Sequence, residues 1–361
     1  MTTAISKKNG TIELLRFIFC LCILLFHIEK YLFGEPPLDE GIHLELFPHG
    51  SIGVEFFFLV SGWLMASSIV KMRQRETLDD LGNLTLGFMK KKYFSIFPYH
   101  IVALLGTFVV DCYIRNVTLT EIVRNFVEMI PNIFLVQMSG LSMYNPNHIT
   151  WYLSSMLIAM FILFPLTYKY YNVMIKIIIP FVSIVVLGNF FYNDHAITGV
   201  AIWTAFGYKG TIRAFIDISL GMLAYEISKA LSSTNISGCK KTLLAVVEFC
   251  CYLSTIIFAL MTFTKEYEFF ALLALFVGIA ITFSEVTHTH IFDNKFCYFL
   301  GSFSLPVYLC QLAAINIGVN YTADFSPEAR VIIVVLLTTV FAALCNVVGN
   351  YIIKRTHSSK K

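Results

Sequence analysis

The chain has 361 residues, of which 57% are apolar or aromatic and 14% charged, with a mean hydropathy of +0.73. That balance lies well outside the soluble range and implies repeated passage through a bilayer. A net charge of +3, with no basic stripe among interleaved aromatics, excludes nucleic acid as the expected partner and leaves the lipid bilayer as the first one.

The segment from Met1 to Gly10 is short and polar, and no cleavage site follows the first apolar stretch, so that stretch is expected to remain as a helix. A span needs about 20 mostly apolar residues. Candidates run near 12–33, 51–70, 95–113, 150–168, 174–192, 211–229, 242–263, 269–285, 297–318 and 331–353. The expected fold class is all-α, a polytopic membrane bundle of about ten helices forming one domain over 1–361. The polar connections are too short to hold a soluble domain. The nine cysteines, including Cys20, Cys22, Cys250, Cys251, Cys310 and Cys345, lack metal-type spacing and read as small buried hydrophobes, so no metal is expected.

Charge asymmetry checks this count. Ten spans place Lys7, Lys8, Lys71, Arg73, Arg75, Lys90, Lys91, Lys92, Lys169, Lys176, Lys229, Lys240, Lys241, Lys295, Lys354, Arg355, Lys360 and Lys361 on one side, the cytoplasmic one, with both termini. The acidic loop Glu35 to Glu45 and the segments 193–210 and 320–327 fall on the other. An additional stretch at 126–139, interrupted by Glu128 and Pro131, would reverse the later loops if it crossed, and is expected to be an amphipathic or re-entrant piece on the outer side.

Within the spans, a few polar residues stand out. Arg16 and His27 are eleven positions apart in the first helix. Three helical turns with about 20° of drift put both on one face, roughly 16 Å apart along the axis. A charge at the centre of a lipid-embedded helix costs at least about 2.5–3.5 kcal/mol, so such groups face a bundle interior or an aqueous cavity. Glu55, early in the second helix, is expected at the depth of His27, where a carboxylate would orient the imidazole; a bundle ion pair is the other reading. The run Lys90, Lys91, Lys92 before Pro98-Tyr99-His100 serves either to stop transfer or to draw in an anionic ligand. Arg213 and Asp217 have the spacing of a local ion pair. Trp151 and Tyr152 could form an aromatic belt, and Asn346 with Asn350 reads as interhelical glue. Intramembrane Arg, His and Glu equally suit a proton-coupled transporter or exporter, for example of a polysaccharide precursor or small acid.

Taken together, these residues resemble acyltransferase family 3, a family of integral membrane acyltransferases. The matching elements are Arg16 and His27 with ten residues between them, Gly53 to Gly62 (Gly-Val-Glu-Phe-Phe-Phe-Leu-Val-Ser-Gly), and Lys92 to Pro98. His148 to Ser154, Arg213 to Gly221, and Gly301 to Tyr308 follow in order. Lys92 and Ser95 stand where many members carry a pair of arginines, and Gln311 where a histidine often ends the late motif. The resemblance implies a stand-alone O-acetyltransferase of a bacterial plasma membrane. No cofactor would be bound; acetyl-CoA, or another acyl-CoA, enters from the cytosol as co-substrate, and the acceptor is a hydroxyl of a sugar, exopolysaccharide or other envelope glycan. His27, Arg16 and Glu55 are then the expected catalytic set. Arg16, Lys91, Lys92 and Tyr99 would take the donor, and Trp151, Tyr152 and Arg213 the acceptor.

Overall fold

In lipid, every backbone N–H and C=O must find its partner inside the protein, which leaves a chain this apolar little besides helices. The computed structural model describes residues 9–34, 47–75, 80–141, 144–204 and 207–358. The acidic loop Glu35 to Glu45 and the lysine pairs at the two termini lie outside the described residues.

Helix α1 (Gly10–Ile28) begins where the Asn9 side chain accepts a hydrogen bond from the Ile12 N–H, and a π-helical turn carries it on to Phe33. There follow α2 (Gly53–Arg73), α3 (Leu81–Ile114), α4 (Leu119–Glu128), the single turn α5 (Ile130–Ile133) and α6 (Trp151–Lys169). Next come the short α7 (Tyr171–Val173), α8 (Ile179–Asp194), a two-stranded ribbon of β1 (Trp203–Thr204) and β2 (Gly207–Tyr208), and α9 (Lys209–Ser233). The chain ends in α10 (Cys239–Leu260), α11 (Tyr267–Ser284), α12 (Lys295–Tyr321) and α13 (Pro327–Ser358). The strands are antiparallel, pairing Trp203 with Tyr208 and Thr204 with Gly207.

Among the described residues, nine helical segments are long and apolar enough to cross a membrane, and the tenth expected span, 211–229, falls on α9. That helix is long enough, but it carries Lys209, Arg213, Asp217, Glu226 and Lys229. It is tolerated because α2, α6, α8 and α11 pack around it and bury Lys209, Arg213 and Asp217, while Glu226 is partly exposed and Lys229 exposed near its other end. The peripheral helices show the opposite pattern. Leu243, Val246, Phe249 and Leu253 form an exposed stripe on α10, and Leu336, Val340, Leu344 and Val347 form one on α13, as lipid-facing surfaces should.

One boundary differs from expectation. The third helix begins at Leu81 rather than near residue 95, so the lysine run and Pro98 lie inside it instead of at its start. The Asp80 side chain caps it by accepting from the Gly82 N–H, and the polar first turns need not lie in lipid. The stretch 126–139 does not cross. The Thr118–Glu121 capping box starts α4, whose exposed Leu119, Val123, Phe126 and Val127 form an apolar face. The chain then folds back along α3, where His100 Nε2 donates to the Asn132 carbonyl at 2.8 Å and Tyr93 Oη to that of Ile133 at 3.1 Å. Its irregular backbone is thus satisfied by protein, as a re-entrant segment requires.

At the crossing of α2 and α9 the backbones touch. A Cβ on Gly62 would sit 2.0 Å from the Ile218 carbonyl oxygen, and one on Gly221 2.1 Å from that of Leu59. Gly62→Val should therefore force the two helices apart at a cost of about 1–3 kcal/mol or more. A lower unfolding temperature in detergent is expected for it, with no comparable loss for Leu344→Ala on the exposed stripe of α13.

Candidate active site

A cavity of about 1020 Å³ opens at the end of the bundle opposite Gly10, bounded by α1, the 137–151 segment, the 194–202 loop and the start of α9. His27 reaches it from the last turn of α1, just before the π-helical turn, a local widening common at functional sites. The ring lies between Phe26 and Tyr31, with centroids 5.4 Å and 5.8 Å away. Its Nδ1 is buried and has no hydrogen-bond partner. Gln311 of α12 stands close enough to interact with the ring. One turn beyond His27, Tyr31 Oη lies 2.8 Å from His148 Nε2, so a phenol and a second imidazole share this wall.

Glu55 does not orient His27. Gly50 packs on the Cys22 carbonyl and Gly53 on that of Phe19, which places Glu55 deeper in the bundle than His27. There it is fully buried and forms an ion pair with Arg213. Arg213 lines the cavity floor, with its guanidinium 5.3 Å from the centre of the Trp151 ring, a cation–π stack. The expected Arg213–Asp217 pair is not made: both Asp217 carboxylate oxygens are buried without a hydrogen-bond partner. Seven residues from Glu55 to Gly62 and eight from Arg213 to Gly221 are each about two helical turns. The close glycine contact therefore brings the two charges side by side.

Two buried charges that sequence reasoning missed hold the cavity's loop wall. Lys209 Nζ donates to Asp194 at 2.6 Å and to the Ala196 carbonyl at 2.9 Å. Glu268 accepts the N–H groups of Ile197 and Thr198 at 2.7 Å and 2.8 Å, and the Thr198 hydroxyl at 2.6 Å. Their position at helix starts resembles ordinary interfacial charge, which is why the pattern hid them. Of the expected acceptor residues, Trp151 and Arg213 reach the cavity and Tyr152 does not. Tyr152 is buried among Phe57, Phe58 and Tyr308.

At the other end of α1, Arg16 is half-buried and 3.3 Å from the Glu13 carboxylate. Lys92 of α3 is near enough for the two cations to repel, while Lys91 points outward. The Ser95 hydroxyl donates to the Lys92 carbonyl at 2.7 Å and adds no charge. Tyr99 turns to α13, where its hydroxyl donates to Asn350 Oδ1 at 2.9 Å, a bond between helices; Asn350 Nδ2 donates to Asn346 Oδ1 at 3.0 Å within α13. Between Arg16 and His27 the helix face is closed by buried Cys20, Ile23 and Leu24.

The fold and this arrangement define a multi-pass membrane protein with a histidine-bearing cavity at one end and clustered cations toward the other. Comparison with family models matches residues 9–349 to the acyltransferase domain of acyltransferase family 3. The chain belongs to that family and is a membrane acyltransferase. No curated protein and no solved structure matches it.

Removing one member of a buried ion pair strands the other, at about 3–5 kcal/mol. Glu55→Ala and Arg213→Ala are each expected to show that loss in detergent denaturation. The double substitution should cost less than their sum, because neither then leaves an unpaired charge.

Proposed function

We propose that the protein transfers an acetyl group from acetyl-CoA to a hydroxyl of a sugar within an exopolysaccharide or other envelope glycan, with His27 as general base. The observation that carries this reading is the His27 ring in the wall of a large cavity, with Nδ1 free of any hydrogen bond. In that step His27 takes the proton of the acceptor hydroxyl as its oxygen attacks the thioester carbonyl. The C–S bond then breaks, and the imidazolium returns the proton to the departing thiolate. Direct transfer leaves His27 unmodified.

The cavity suits a sugar. Trp151 and Tyr31 offer ring faces, and Gln137 and Asn145 offer amides, the mixture of apolar surface and few polar groups expected of a ligand site. Arg213, held by Glu55 and stacked on Trp151, supplies a fixed hydrogen-bond donor at the cavity wall, where preorganised donors stabilise developing negative charge.

The donor is assigned to the opposite end. Arg16 and Lys92 form a pair of neighbouring cations suited to phosphate, and the basic loops sort to that side by the charge rule. Arg16 and Lys92 replace the broader donor set, since Tyr99 is engaged with α13. Family membership favours this reaction over proton-coupled transport.

His27→Ala should lower acetyl transfer by at least about 10²-fold without loss of membrane-inserted protein, read as the mass of one acetyl group on surface glycans and as coenzyme A release from membranes. Retained acetylation by that variant would sink the assignment. Arg16→Ala is expected to raise the KM for acetyl-CoA more than it lowers kcat.

A further inference from the structure

At the Gly10 end of the bundle, the turn between α11 and α12 brings two imidazoles and a carboxylate together. His288 Nε2 and His290 Nδ1 each lie 3.0 Å from Oδ2 of Asp293. All three ligand-capable atoms fall within 4.8 Å of one another. The local backbone explains the convergence. Thr289 is extended (φ −119°, ψ 137°), so His288 and His290 leave the chain on one side. The single 3₁₀ turn His290–Phe292 then returns Asp293 to them.

Asp293 is also fixed from behind. Its Oδ1 accepts the Gly10 N–H at 3.0 Å. The Phe292 carbonyl oxygen would lie 2.0 Å from any Cβ at Gly10, so the turn is pressed against the first residue of α1. One carboxylate oxygen thus serves α1 while the other faces both imidazoles. The side chains of His288 and Asp293 are 17% and 6% exposed, whereas that of His290 is 77% exposed. The cluster has a rigid inner part and an open outer side.

Ligands held about 2.0–2.2 Å from one zinc ion at angles of 90–109° are themselves about 2.8–3.6 Å apart. The two N-to-O separations fall in that range. Two imidazoles and one carboxylate are a donor set for a borderline divalent metal, with a further position left for water on the open side. The cysteine spacing excluded a thiolate site and had no bearing on this one.

We propose that His288, His290 and Asp293 form a binding site for a divalent transition metal, with zinc as the ion that fits the set, and that the ion clips the α11–α12 turn to the start of α1. The clip is structural. Gly10 and His27 are seventeen residues apart, about 26 Å along the helix axis, so the ion takes no part in chemistry at His27. It anchors the helix that carries both Arg16 and His27.

The test uses untagged full-length protein in detergent, stripped with a chelator and titrated with zinc chloride against a chromogenic zinc indicator. Wild type is expected to take up one equivalent, and His288→Ala and His290→Ala to bind at least about tenfold more weakly. Because His290 is exposed, His290→Ala should elute from gel filtration as wild type does. Zinc should raise the unfolding temperature of wild type and leave that of His290→Ala unchanged. Wild type that takes up no zinc, or a His290→Ala protein that binds it equally tightly, overturns the proposal. Neither outcome bears on acetyl transfer by His27.

Discussion

A carboxylate and a guanidinium can enter the interior of a helix bundle together only if each neutralises the other at close range. Glu55 and Arg213 do this, and much of the site depends on it. The pair needs α2 and α9 in contact, which Gly62 and Gly221 permit by presenting bare backbone to each other. Once the pair is made, Arg213 is held flat enough to stack on Trp151, and α6 takes its place beside α9. The start of α9 then holds Lys209 where it can tie down the 194–198 loop. The cavity floor and one of its walls follow from a single buried contact.

Helix α1 organises the rest. It offers His27 to the cavity at one end and Arg16 to the neighbourhood of Lys92 at the other. The two ends are separated by a sealed stretch of Cys20, Ile23 and Leu24, with Tyr152 and Tyr308 packed nearby. Such a partition has a chemical consequence. It separates the cavity from the opposite end of the bundle, and in the proposed reaction it would keep water from the thioester.

Much of this was legible in the residues. Spans could be counted because lipid imposes length and apolarity on each helix, and the charge rule sorted the loops. Arg16 and His27 were found because the helical period places them on one face. Arg213 stands out because a charged group in a span needs a reason, and Trp151 as an aromatic at the interface. Glu55 stands out as a carboxylate within a span, but its partner is Arg213 and not His27. Its depth was counted from the ends of the apolar run, whereas the packing of Gly50 and Gly53 on α1 sets it lower than His27. Tyr152 was misplaced for a related reason: a residue beside one that lines a cavity points about 100° away on a helix, into the core. Lys209 and Glu268 gave no signal, since charges at helix starts are ordinary.

Composition and periodicity by themselves determined that this is a membrane bundle, how its helices alternate, and which polar residues cannot face lipid. These are properties of one segment against one solvent, and a segment carries its own hydrophobicity and face. Tertiary structure decided who pairs with whom: Glu55 with Arg213, Lys209 with Asp194, and His288 and His290 with Asp293. Those choices depend on which helices neighbour one another and at what height, quantities set by close packing among distant parts of the chain. No single segment contains them.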